Sequence, residues 1–221
     1  PFFFNMGITA DQVIKLRLFI GLTALVLFAL GGYWISFAGL IAFALAYILD
    51  CVDGNISRLD DSGNYWGKFI DGYADDIVLF STPFAIGIGL CSQNDSLTPL
   101  IIGGVATVIA LLTGMARHRF SFIREWMISQ TGPLDATDIA NIDRFESLRK
   151  NPVRLAMNLY CFAPWLILLP DDGWTYLGII LIFITGANLI WVATIVSQAS
   201  ALFRRSRKGL HAAQSVEEKR S

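Results

Sequence analysis

The sequence predicts an all-α integral membrane protein of six transmembrane helices, preceded by an N-terminal interfacial amphipathic segment. Three observations predict it. Hydrophobic residues make up 54% of the 221 positions and charged residues only 16%, against about a quarter charged in an average soluble domain. The apolar residues gather in six stretches, most of them close to the ~20 residues that cross a ~30 Å hydrocarbon core. All 17 Lys and Arg fall in segments that such a topology puts on one side. Mean hydropathy is +0.55.

Residues 1–12 open with Pro1-Phe2-Phe3-Phe4 and run to Ile8-Thr9-Ala10-Asp11. They read as an amphipathic segment lying on the interface, with Thr9 able to cap a helix start. The first span runs from Val13 to Leu30 and stops at Gly31-Gly32. No small-residue cleavage site follows it, so it is expected to remain as a span. The second span is Tyr33 to Val52, the third Lys68 to Leu90 and the fourth Thr98 to Ala116. The fifth is Val153 to Leu169, stopped by Pro170, and the sixth is Trp174 to Phe203. Residues 13–203 thus form one six-helix bundle, and 204–221 form a basic tail that contacts anionic headgroups.

An even number of spans leaves both ends on the same side. Lys15, Arg17, Arg58, Lys68, the cations from Arg117 to Arg154 and those from Arg204 to Arg220 lie there, and the opposite loops carry none. The positive-inside rule makes that side cytosolic. Residues 118–152 read as a long loop, with Ile139, Ile142, Phe145 and Leu148 spaced for a membrane-surface helix. Cys51, Cys91 and Cys161 form no CxxC pair and are expected to be free thiols. Nothing in the sequence calls for a nucleic-acid partner.

Chemistry concentrates between residues 50 and 75. Asp50 and Asp53 end the second span; Asp71 and Asp75 begin the third. Spacings of three and four put each pair on one helix face, and ionisable groups at the edge of an apolar span are by default functional. At ~4 Å and an effective dielectric of ~20, each like-charge pair costs on the order of 4 kcal/mol. Cations must therefore hold the set. Oxygen donors with no accompanying His or Cys select Mg²⁺ or Mn²⁺ (or Ca²⁺) over zinc, and two such ions would neutralise the set and could clamp a diphosphate. Gly54 and Gly67 allow close approach of a backbone, and Arg58 can grip phosphate through its forked donors.

This stretch resembles the signature of the CDP-alcohol phosphotransferase (phosphatidyltransferase) family, Asp-x2-Asp-Gly-x2-Ala-Arg-x8-Gly-x3-Asp-x3-Asp. Asp50, Asp53, Gly54, Arg58, Gly67, Asp71 and Asp75 match with every spacing kept, while Ser57 stands where the family has Ala. The resemblance implies Asp75 as the general base and Asp50, Asp53, Asp71 and Asp75 around the metals. It puts the nucleotide against Asp50, Gly54, Arg58 and Gly67. It implies transfer of a substituted phosphoryl group from a CDP-linked donor to an alcohol acceptor, with CMP released, as a homodimer in the lipid bilayer. Short chains with six spans are similar to the prokaryotic members, which work at the bacterial or archaeal cytoplasmic membrane and mostly use CDP-diacylglycerol. A soluble CDP-alcohol donor with a lipid acceptor is the alternative.

Arg117, Arg119 and Arg154 are candidate phosphate ligands on the acceptor, or plain positive-inside anchors. A divalent-cation transporter is the remaining class, and it is disfavoured. Transporter sites lie near the midplane between repeated halves, whereas these acids sit at one edge and the halves do not repeat.

Overall fold

The computed structural model describes residues 7–59, 65–131, 162–171, 173–186, 188–193, 195–196 and 200. It is helical throughout, and no strand occurs among the described residues. Four long helices come first: α1 (Ala10–Leu30), α2 (Tyr33–Leu59), α3 (Tyr65–Asn94) and α4 (Thr98–Thr131). A 3₁₀ turn at Ala163–Leu168 precedes α5 (Trp174–Ile179), which continues as a π-helical segment over Ile180–Ile184. Five helices among the described residues are long and apolar enough to cross a membrane: four within α1 to α4, and Trp174–Ala193. Most of the expected fifth span, Val153 to Leu169, lies outside the described residues, as do residues 1–6 and the tail from 201.

The start of α1 is fixed chemically. Thr9 Oγ1 accepts from the Gln12 amide at 3.4 Å, and Gln12 Oε1 accepts from the Thr9 amide at 3.1 Å. This reciprocal pair satisfies two of the amides that a helix start leaves without partners. The helix therefore begins at Ala10, inside the stretch expected to lie on the interface. It ends where Gly31 and Gly32 take φ of 70° and 83°, a region that costs any residue with a Cβ.

Unlike a soluble helix, α1 is apolar on both its inward and its outward face. Phe19, Leu22, Val26 and Leu30 point outward, while Val13, Arg17, Gly21, Ala24 and Phe28 point inward. Large apolar groups turned outward on every long helix are what lipid accommodates and water does not.

The described residues up to Leu111, with those from 162 to 185, make one compact unit. Its core is Ala24, Phe28, Leu40, Phe43, Ala85, Ile86, Leu90, Ala106, Tyr176, Leu177 and Ile180 with their neighbours. Glycines let backbones touch here. A methyl group added at Gly89 would lie 2.1 Å from the Phe28 carbonyl oxygen, and one at Gly103 would lie 2.3 Å from that of Pro83. Pro83 sits inside α3 and supplies no amide to the helix ladder; one turn back, Thr107 of α4 donates its hydroxyl to the Phe80 carbonyl at 2.9 Å. A second, smaller cluster of Val13, Leu49 and Ile56 packs around the other end of α1 and α2.

The other unit contains the described residues from Leu112 to 131 and from Gly186 onward. Its first part corrects an expectation. The helix of α4 does not stop near Ala116 to open a loop at His118 but continues to Thr131. Charged residues begin at Arg117, but apolar ones such as Phe120, Phe122, Ile123 and Trp126 continue among them, and no helix breaker occurs before Gly132-Pro133. Without a Gly or Pro in this stretch, nothing in its local propensity stops the helix. The remainder of the expected loop, 132–152, lies outside the described residues. Cys51 and Cys91 are free thiols, as expected.

Candidate metal centre

The four aspartates converge. Asp50 and Asp53 lie one turn apart on α2, and Asp71 and Asp75 one turn apart near the start of α3. Asp50, Asp53 and Asp71 each offer a carboxylate oxygen, and these oxygens all lie within 4.8 Å of one another. Exposure grades across the set. The Asp53 side chain is 4% exposed and forms the floor, while Asp75 is 52% exposed and stands at the mouth.

A fifth residue completes the cluster. Arg17 of α1 is 4% exposed, and its guanidinium reaches all four carboxylates. Nη1 donates to Asp50 Oδ1, to Asp53 Oδ2 at 3.1 Å and to Asp71 Oδ1 at 2.8 Å. Nη2 donates to the Asp71 carbonyl oxygen at 3.0 Å and to Asp75 Oδ1 at 2.8 Å. The positive-inside count treats Arg17 as an anchor beside Lys15. The helix separates them: Lys15 is exposed and Arg17 is buried. The signal available in the sequence was register, because Arg17 shares a face with Val13, Gly21, Ala24 and Phe28. A cation on the inward face of a span needs a partner of opposite charge.

The donor set fits a hard divalent cation. Three carboxylate oxygens within 4.8 Å of one another could close onto one ion that takes oxygens at about 2.0–2.6 Å. Like-charged carboxylates this close require positive charge between them, and the one guanidinium supplies only part of it.

The remaining candidates are placed as follows. Gly54 follows Asp53 on α2 and is half-buried, and Gly67 lies in the first turn of α3. Arg58 continues α2, and its side chain lies outside the described residues, as do the Arg117 side chain and all of Arg154. Arg119 is exposed on α4 in the other compact unit.

With this geometry in hand, comparison with protein families matches residues 8–196 to the CDP-alcohol phosphatidyltransferase family. The match takes in Arg17, all four aspartates and the five helices long and apolar enough to cross a membrane. The chain belongs to that family. Members act on a CDP-linked donor and an alcohol acceptor in a membrane. A relative described as a CMP-forming cardiolipin synthase, from Oryza sativa subsp. japonica, is 25% identical over 166 residues, which is 74% of this chain and 48% of the relative. The chain thus spans about half the length of that curated relative.

Proposed function

We propose that this protein transfers a phosphatidyl-type group from a CDP-linked donor, CDP-diacylglycerol, to the hydroxyl of a polar acceptor and releases CMP, as a step of phospholipid synthesis. The observation that carries this is the convergence of Asp50, Asp53, Asp71 and Asp75 at one end of α2 and α3, at the family's spacing. Family membership and the CMP-forming relative support the same reaction.

In this reading Asp50, Asp53, Asp71 and Asp75 hold two Mg²⁺ or Mn²⁺ ions. Bound ions supply positive charge to the attacking and leaving oxygens of the phosphoryl group. Asp75, the most exposed of the four, takes the proton from the acceptor hydroxyl. The acceptor oxygen forms a bond to the phosphorus distal to cytidine, the bond from that phosphorus to the bridging oxygen breaks, and CMP departs with that oxygen. Asp50, Gly54, Arg58 and Gly67 seat the cytidine nucleotide. Asp53, buried beneath the others, fixes the position of the cluster rather than meeting substrate.

The distribution of Lys and Arg supports a cytosolic active site with both ends of the chain on that side. A homodimer is the family's expected assembly, and cross-linking in native membranes tests it. Arg117, Arg119 and Arg154 remain candidates for a phosphorylated acceptor.

The test is CMP release by the purified protein in detergent with Mg²⁺, supplied in turn with CDP-diacylglycerol, CDP-choline and CDP-ethanolamine against a panel of acceptors. Release from CDP-diacylglycerol alone is expected. Release from a soluble CDP-alcohol would reverse the donor and make the acceptor a lipid. If no cytidine compound turns over or stabilises the folded protein, the reading fails.

A further inference from the structure

We propose that Arg17 is a captive counter-cation that competes with divalent metal for the acidic centre, a statement that rests on the metal reading above. The three carboxylates contacted by Arg17 Nη1 are Asp50, Asp53 and Asp71. The same three bring oxygens within 4.8 Å of one another. A Mg²⁺ ion takes its oxygens at about 2.0–2.1 Å and uses the lone pairs that face it. Nη1 shares its two hydrogens among one oxygen of each of these carboxylates, in the space an ion would need. Nitrogen and ion therefore cannot both be held there, and Nη1 has to withdraw for an ion to bind.

Nη2 is placed differently. It is anchored on the Asp71 carbonyl oxygen and on Asp75, and neither of these acceptors belongs to the triad's convergent oxygens. Arg17 can thus yield its Nη1 contacts and keep a hold on the rim. Burial makes the competitor captive: the side chain is 4% exposed and rises from the inward face of α1 between Val13 and Gly21. Among the described residues almost none of its surface meets water, unlike that of a surface arginine.

Two effects of opposite sign follow. Without metal, Arg17 offsets the repulsion between α2 and α3 and keeps the cluster assembled. With metal, it lowers the affinity by having to move. A purely structural arginine would weaken both properties when removed, and an arginine that served only to grip substrate phosphate would leave metal affinity alone.

The experiment uses the full-length protein in detergent, stripped with chelator, and reads Mn²⁺ binding from the signal of free Mn²⁺ together with the melting temperature. Arg17→Gln is expected to melt lower in chelator yet bind Mn²⁺ on the order of tenfold tighter or more, because a unit charge at contact distance is removed from beside the ion. Arg17→Lys is expected to fall between, since a single ammonium cannot span the cluster as the fork does; it carries the test if the Gln variant does not fold. Equal or weaker Mn²⁺ binding by a folded Arg17 variant, with Asp53→Asn still losing affinity, overturns the competition and leaves the metal reading standing. If neither the native protein nor any variant binds Mn²⁺, the metal reading and the competition fall together.

Discussion

Arg17 Nη2 lies 2.8 Å from Asp75 Oδ1. The cation is deeply buried and the carboxylate is half exposed. This pair joins the floor of the cluster to its mouth, and it fixes one oxygen of the group that the proposed mechanism uses as the base.

Asp75→Asn keeps the size of that side chain and its contact with Arg17 through the amide oxygen but can no longer take a proton. Turnover is expected to fall by about 10²–10⁴-fold, the usual worth of a positioned base. CMP should still raise the melting temperature. A variant with near-native rates would remove Asp75 from the role of base.

Asp53→Asn tests the floor. Asp53 is buried and accepts from Arg17 at 3.1 Å, so its loss changes the charge that the buried guanidinium meets. Leaving a buried charge without its partner costs about 3–5 kcal/mol, but three carboxylates still face Arg17 here, so a smaller loss of melting temperature is expected. Weaker metal binding should accompany it. Native metal affinity in this variant would take Asp53 out of the ligand set.

Chelation is expected to stop CMP release completely, and Mg²⁺ or Mn²⁺ should each restore it. The cluster's donors are all carboxylate oxygens, so Zn²⁺ should restore it poorly. Full activity in chelator would remove the metals from the mechanism.

Gly103 and Gly104 are neighbours with opposite tolerances. A methyl at Gly103 would meet the Pro83 carbonyl oxygen at 2.3 Å, whereas the nearest atom to one at Gly104 is a Phe84 ring carbon at 3.9 Å. Overpacking of this kind costs about 1–3 kcal/mol. Gly103→Ala should therefore melt well below the native protein and Gly104→Ala close to it, in the same detergent. Equal melting of the two would mean that α3 and α4 do not pack this closely.

Asp171 should make the start of α5 sensitive to acid. Its carboxylate lies below the usual range because the Thr175 hydroxyl donates to it, helped by the Thr175 and Gly173 amides at 3.0 and 3.2 Å. A carboxyl group with a lowered folded value stabilises above its unfolded value, and that contribution disappears as pH falls through the folded value. The native protein should melt above Asp171→Ala at about pH 7, and the gap should close towards about pH 3, below the ordinary Asp value. A gap independent of pH would mean that the hydrogen bonds do not favour the charged form.

The sequence made the acids and the helix ends legible for physical reasons. Spacings of three and four place Asp50 with Asp53 and Asp71 with Asp75 whatever the tertiary structure does, and Thr9 and Gly31 are local signals that act within one turn. Arg17 was not legible from charge counting, because Lys15 beside it has the same charge and opposite burial. Only the face it shares with Gly21 and Ala24 distinguishes it. The extension of α4 to Thr131 escaped a reading based on hydropathy, which detects lipid-facing length and not helix. The close contact of Gly103 with Pro83 needed coordinates, because two adjacent glycines look alike in a sequence and only packing tells them apart.

The electrical imbalance of the cluster also sets a sequence of events. Four carboxylates facing one guanidinium leave three formal negative charges at the ends of α2 and α3. A diphosphate brings further negative charge, and at contact distances such repulsion exceeds what a few hydrogen bonds return. If the proposed donor binds here, the metal-free centre is expected to repel it. On the proposed function, binding is expected to be ordered, cation before nucleotide, so that the same acids exclude the donor until the ions are in place.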